Sequence, residues 1–233
     1  MNIQTYIKNK IYFIELSRKR AMNALNIELL KELESAIDNL PEELLGVVIS
    51  GSGEKAFCAG ADIKFMCNSS VEECVNFAKF AQDVFSKIEN LPIPVIAAVD
   101  GIAFGGGCEL AMACDFIYAT KNSFLGQPEV KIGVIPCFGG LVRLSTFVGM
   151  AKAKEMIFTG RSYSAKQAKS FGLVNEIFST KEELLDEIYS FFSDIDKCSL
   201  YALGICKNAL NKNQTFEAER LGFSIALDSG NGR

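Results

Sequence analysis

The sequence predicts an α/β fold in which helices cover parallel sheets, and three observations carry that prediction. Apolar, β-branched runs at residues 11–16, 44–50, 93–99, 116–120 and 174–178 alternate with stretches of helical periodicity. Everything beyond Thr180 reads as helix. No low-complexity linker and no repeat of fixed period divides the 233 residues, of which 49% are hydrophobic, enough to fill one sizeable core.

Residues 11–16, Ile-Tyr-Phe-Ile-Glu-Leu, read as the first strand. The polar connection after it carries Arg18, Lys19 and Arg20, a solvated loop or, beside a site, a grip for an anionic ligand. Asn26 is an expected N-cap, because Leu29, Leu30, Leu33, Ala36, Ile37 and Leu40 follow at helical spacing and Pro41 stops them. Residues 44–50, with Val47, Val48 and Ile49, form a second buried strand that Gly51-Ser-Gly53 breaks. Residues 55–66 read as a small-residue loop. Ala59-Gly60-Ala61 lets backbone approach something bulky, and the N–H of Ala61 or Asp62 offers a donor. Ser70 followed by Glu73 is a capping box opening a helix that bears Val75, Phe77, Ala78, Ala81, Phe85 and Ile88 and ends before Pro92 and Pro94.

The central strand, residues 93–99, is fenced by Asp100-Gly101. Gly105, Gly106 and Gly107 then lead into Cys108-Glu-Leu-Ala-Met112, residues that favour helix. The first N–H groups of a helix have no intrahelical partner, and the macrodipole is positive there. Glu109 in that first turn therefore joins a potential acid or base to an oxyanion binder. Three glycines are also simply a tight connection, and this run is not a dinucleotide fingerprint because no third glycine stands three residues beyond the second.

Residues 116–120 are a short strand. Pro128 suits the first position of a short helix, and Glu129 after it is flanked by Leu125, Val130, Ile132 and Val134, a setting that raises a carboxyl pKa if the side chain is half-buried. Phe138-Gly-Gly140 opens a helix through Leu141, Leu144, Phe147 and Val148. Two shorter helices at 151–158 and 164–171 are each followed by a glycine, Gly160 and Gly172. A last strand at 174–178 precedes helices at 182–195, 200–210 and 216–227.

Composition narrows the chemistry. The net charge is −4 and no basic cluster exceeds Arg18-Lys-Arg20, which argues against a nucleic-acid partner. No stretch reaches 18 uninterrupted apolar residues, and Met1-Asn-Ile-Gln-Thr5 lacks the charged and apolar regions of a secretory leader, so no membrane span and a cytoplasmic location are expected. The eight cysteines include no Cys-x-x-Cys pair, which predicts reduced, mostly buried thiols. There is no histidine. That excludes Ser-His-Asp and Cys-His nucleophiles and every imidazole base, leaving acid–base work to Glu, Asp, Lys, Tyr or Cys.

Three separated motifs, Cys58-Ala-Gly-Ala-Asp-Ile63, the run from Ile96 to Leu110 with its three glycines and Glu109, and Gly126-Gln-Pro-Glu129, together resemble the enoyl-CoA hydratase, or crotonase, family from about residue 5 to residue 227. The resemblance implies a crotonase-like spiral of β-β-α turns forming two nearly perpendicular sheets over residues 1–180. It further implies a C-terminal helical region, residues 181–233, that mediates trimers which pair into hexamers. Compared with relatives the chain looks short at that end. The positions matching the family's oxyanion donors are Ala61 and Gly106. Residues Ala61, Asp62, Ile63 and Lys64 match the acyl-CoA cleft, and Ala59 and Ile63 the adenine side. Glu109 and Glu129 match the glutamate pair of hydratases, which add water to a 2-trans-enoyl-CoA. The resemblance implies an acyl-CoA substrate, catalysis without a metal or a resident cofactor, and a place in fatty-acid oxidation. An enoyl-CoA isomerase, a polyketide-type dehydratase and a non-catalytic acyl-CoA-binding scaffold are the alternatives.

Overall fold

The computed structural model describes residues 1–212 and 215–229. Strands β1 (Ile3–Lys8) and β2 (Ile11–Leu16) form an antiparallel hairpin. Its two turn residues, Asn9 and Lys10, adopt φ of 53° and 59°, as a tight hairpin turn requires. Only Ile3 of β1 is buried, so this edge strand carried no burial signal to read from sequence. β2 continues in parallel register with β3 (Gly46–Gly51), β3 with β5 (Val95–Val99), β5 with β7 (Phe116–Thr120) and β7 with β10 (Glu176–Phe178), completing a six-stranded sheet. A second sheet of three-residue strands has the order β4 (Ala56–Cys58), β6 (Ile102–Phe104), β8 (Phe124–Gly126) and β9 (Ser162–Ser164), with β9 antiparallel.

The chain visits the sheets in turns of strand, short strand, helix. β3 and β4 lead to α2 (Ile63–Asn68) and α3 (Val71–Glu89), β5 and β6 to α4 (Gly106–Met112), and β7 and β8 to α5 (Gly140–Thr159), which is interrupted at Gly149 with φ 73°. β3, β5, β7 and β10 begin at residues 46, 95, 116 and 176, intervals so unequal that no sequence period could have revealed the repeat. The expected loop at 55–66 is in fact β4, a turn and the start of α2, and Asp62 caps α2 by accepting from Lys64 N–H at 3.2 Å.

Local signals hold where the side chain closes a backbone bond. Asn26 accepts from Leu29 N–H at 3.0 Å to start α1 (Ile27–Asp38), and Ser70 with Glu73 makes both bonds of the capping box on α3. Ser164 and Gln167 make a second capping box on α6 (Ala165–Ser170).

Alternation in the central strands splits the core. Val47, Ile49, Ala97 and Val99 face the main core with Phe57, Phe85, Cys108 and Leu110. Val48 and Ile96 face the opposite side with Ile11, Phe13 and Tyr118, and there α7 (Lys181–Ile195) lays Leu184, Ile188 and Phe192 on the large sheet. The chain beyond residue 180 therefore begins with a helix that closes the sheet's outer face. α8 (Leu200–Lys212) is tied to the start of β5, where the buried Lys207 ammonium donates to Asp115 at 2.6 Å and to the Ile93 carbonyl at 3.0 Å while Asp115 accepts from Val95 N–H at 2.7 Å. α9 (Phe216–Asp228) leaves Phe216, Leu221, Phe223, Ile225 and Leu227 exposed.

All eight cysteines are free, but only Cys58, Cys108 and Cys114 are buried, fewer than expected, because Cys67 and Cys206 fall on outward helix faces and Cys198 lies in the exposed bend between α7 and α8. No helix among the described residues is long and apolar enough to cross a membrane.

Phe192 sets the contact between α7 and the sheet, since a Cβ on Gly46 would lie 2.2 Å from its ring. Phe192→Ala is expected to lower stability by about 3–5 kcal/mol in urea titration, the range for emptying an aromatic site that cannot collapse.

Candidate active site

One cavity of about 800 Å³ collects most of the residues singled out from sequence: Ala59, Ala61 and Ile63 from the β4–α2 segment, Gly106 and Glu109 from α4, and Glu129 from the 3-10 turn Glu129–Ile132. The remaining wall is apolar, with Met66, Val75, Phe77, Ile135 and Phe138 among its residues. Asp62 and Lys64 are not in that wall. Asp62 turns toward Arg18, whose guanidinium it meets at 3.2 Å, and Lys64 is exposed. Arg18 also donates to the Ala24 carbonyl, so it pins its own loop rather than offering a free cation.

The two amides flagged from sequence sit where chain geometry leaves them unused. Leu25 donates to the Gly60 carbonyl at 2.8 Å and accepts from Asp62 N–H at 2.8 Å. In such a parallel bridge the intervening Ala61 N–H points the other way. Gly106 is the first residue of α4, where an N–H has no intrahelical acceptor. Gly60 reaches over to it, since a Cβ on Gly60 would be 3.6 Å from Gly106 N. Gly105 turns the chain with φ 49°, and Gly107 presses so closely on β4 that a Cβ there would be 2.0 Å from the Cys58 carbonyl oxygen. The glycine run is therefore more than a tight connection: it brings α4 up against β4 so that both amides line the same cavity.

Glu109 is 1% exposed. Its Oε1 accepts from Phe138 N–H at 2.8 Å and from Gly140 N–H at 2.7 Å. Burial pushes the carboxyl up to about 7, opposed by those two amides and by the Arg143 guanidinium. Glu129 is partly buried beside Gly105 and is also raised to about 7, by burial first and then by the charge of Glu109, against a bond from its own N–H. The raised, half-buried state expected for Glu129 is what its setting produces.

Sequence reasoning missed three contributors. Gln127 is fully buried, and with its NH₂ turned to Glu129 it donates to Oε1 at 2.8 Å and to Oε2 at 3.2 Å. Its place two residues before Glu129 was a usable signal, because a polar side chain inside an apolar run needs a partner. Phe138 and Gly140 supply backbone rather than side chain. Only the bareness of Gly140, where a Cβ would meet Glu109 Oε1 at 2.9 Å, hints at its role.

A buried and a half-buried carboxyl, both raised toward neutral pH and sharing an apolar cavity with Ala61 and Gly106, can move protons to and from a substrate whose oxygen gains charge. A search by family model matches residues 6–228 to enoyl-CoA hydratase/isomerase. Among similar proteins are the crotonyl-CoA hydratase of Syntrophomonas wolfei, 42% identical over 98% of this chain and 88% of that protein, and the short-chain-enoyl-CoA hydratase of Clostridium acetobutylicum, 39% identical over 92% and 86%. Among solved structures, enoyl-CoA hydratase from Bacillus anthracis superposes with a TM-score of 0.91 at 35% identity, covering 96% of this chain and 90% of that one. The Thermoplasma volcanium enzyme gives 0.92 at 29%, covering 99% and 94%.

The two carboxyls are coupled, which fixes a sign. Glu109→Gln removes the negative charge that raises Glu129, so the Glu129 carboxyl is expected to titrate at a lower pH than in the wild type, as read by carboxyl ¹³C NMR. Both groups also bind protons more tightly folded than unfolded, so wild-type stability is expected to fall as pH rises from about 4.5 through 7, and Glu109→Gln flattens that fall.

Proposed function

This chain belongs to the enoyl-CoA hydratase/isomerase family, and on that premise we propose that it is a hydro-lyase, an enoyl-CoA hydratase that adds water syn across the double bond of a 2-trans-enoyl-CoA to give the 3-hydroxyacyl-CoA. The observation that carries the reading is the second carboxyl. Shuttling a proton within the acyl chain, as an isomerase does, needs one carboxyl, whereas hydration needs one group to take a proton from water and another to give one to carbon. Glu109, with two amide donors of its own, is that additional group.

The thioester carbonyl oxygen sits between the N–H groups of Ala61 and Gly106, and attack of water at C3 pushes an electron pair from the C2–C3 double bond onto it. Removing one donor of this kind costs about 3 kcal/mol of transition-state stabilisation. Glu109 takes the proton of the attacking water, since its two amides and the nearby Arg143 stabilise the ionised carboxylate. Glu129 starts protonated, because burial and the charge of Glu109 both favour that form, and gives its proton to C2 as the enolate collapses. The Gln127 NH₂ then donates to the carboxylate left on Glu129. The reaction as written uses no metal and no resident cofactor, because coenzyme A arrives as part of the substrate. Ala59 and Ile63 at the rim line the approach of its adenine end, and the neighbouring Asp62 and Lys64, turned from the cavity, shape that rim from outside.

The exposed apolar residues of α9 support self-association as a trimer or hexamer, and a cytoplasmic acyl-CoA enzyme of fatty-acid oxidation is the setting we propose. Light scattering behind a sizing column is expected to give a mass of three or six chains.

Hydration is read directly as loss of crotonyl-CoA absorbance at the conjugated double bond. The wild type is expected to consume crotonyl-CoA, and Glu109→Gln and Glu129→Gln are each expected to lower kcat by roughly 10²–10⁴-fold with KM within a few-fold, the range for losing a general acid or base. Full activity in Glu109→Gln rules out its role as the base.

A further inference from the structure

Outside the cavity walls, one side chain reaches the machinery from behind. Arg143 is in the first turn of α5 and only 9% exposed, while the apolar Leu141 and Val142 beside it are exposed. Its guanidinium forks onto Glu89 near the end of α3, Nε to Oε1 at 3.2 Å and Nη2 to Oε2 at 2.8 Å. The remaining nitrogen, Nη1, donates to the Phe138 carbonyl at 3.3 Å. The other side of Phe138, its N–H, donates to Glu109. Gly139 gives the guanidinium room, with φ 116° and no Cβ where one would lie 2.1 Å from Nη1. Residues 138–140 are thus gripped on one side by a fixed cation and present two N–H groups to Glu109 on the other.

We propose that Arg143, anchored by Glu89, is a positioning residue for the hydration reaction: it fixes the backbone of residues 138–140 so that the Phe138 and Gly140 N–H groups hold Glu109 in its proton-accepting form. The inference rests on the hydratase reading of the cavity. Arg143 touches no substrate-facing surface. It acts through Phe138, with a direct contribution from its positive charge, which lowers the Glu109 carboxyl.

The other groups around Glu109 act against ionisation or stay neutral. Glu129 faces it from the 3-10 turn, and the Cys108 thiol on α4 and the Cys137 thiol, pushed up to about 12, sit beside both carboxylates. Behind Arg143, Glu89 shares a second cavity of about 640 Å³ with the Asp115–Lys207 pair, whose charges offset one another. Arg143 is the cation whose charge favours the ionised form of Glu109.

The test compares wild type, Arg143→Met and Arg143→Lys. Lysine keeps the charge but cannot hold Glu89 with a fork and the Phe138 carbonyl together. Two readouts are used: ¹³C NMR titration of glutamate carboxyls, with Glu109 assigned through Glu109→Gln, and the pH dependence of kcat/KM for crotonyl-CoA. Arg143→Met is expected to raise the Glu109 titration by about one pH unit, to move the acid limb of the profile upward with it, and to lower kcat roughly 10-fold with KM within about 2-fold. Arg143→Lys is expected to shift both in the same direction by less. Titration and acid limb at their wild-type positions in the folded variants overturn the proposal, even if the melting temperature drops. If Arg143→Met does not fold, Arg143→Lys decides by the same criterion. An inert wild type sinks the hydratase reading instead, and the carboxyl titration still decides whether Arg143 governs Glu109.

Discussion

A carboxyl that is 1% exposed is the constraint the rest of this structure answers to. Moving an ionised carboxylate out of water is unfavourable by several kcal/mol unless hydrogen bonds replace the lost solvent. At Glu109 the replacement is backbone, two N–H groups converging on one oxygen. Backbone can only come that close where side chains are absent, which is why Gly139 and Gly140 follow Phe138 and why a methyl at residue 140 would collide with the carboxylate. The same requirement on the opposite side is met by Gly105, Gly106 and Gly107, which let α4 begin almost in contact with β4.

Phe138 shows how packing and polarity are combined in one residue. Its ring is 1% exposed and meets Phe77 and Phe85 edge-on, with centroids 5.2 and 6.1 Å away, and Phe77 in turn meets Phe65 at 5.0 Å. Such edge-to-face contacts lock ring orientation. With the ring fixed by α3 and the carbonyl fixed by Arg143, the Phe138 N–H has little freedom left, and the donor reaches Glu109 already oriented. Preorganisation of this kind is what makes a hydrogen bond useful to a reaction, because no reorganisation is needed as charge moves.

Sequence exposed those parts of the design that act through local chemistry. The caps at Asn26 and Ser70, the β-branched central strands, the glycine run before Glu109 and the apolar flank of Glu129 each work over a few residues, and each was readable. β4, β6, β8 and β9 were not, because three residues hold no periodicity and their pairing is entirely long-range. Arg143 and Lys207 were hidden for a different reason. On a helix wheel each looks like a solvated charge, and only the fold brings Glu89 and Asp115 to meet them inside. The family resemblance supplied the spiral, which unequal intervals between turns conceal from any search for a period.

The opposed protonation of the two carboxyls bears on turnover. On the proposed mechanism, hydration leaves the proton of water on Glu109 and leaves Glu129 ionised, the reverse of the starting arrangement. Resetting the site moves one proton from Glu109 to Glu129, and the free energy of that step is set by the difference between their pKa values, about 1.4 kcal/mol per unit. Burial raises both carboxyls, so each can hold a proton near neutral pH. Two amides and a cation act against that burial at Glu109, and the charge of Glu109 adds to it at Glu129, so the pair is biased toward one ionised and one protonated member. Elimination of water runs the same steps backward, with Glu109 giving the proton and Glu129 taking it, so the two carboxyls exchange the roles of acid and base between the two directions.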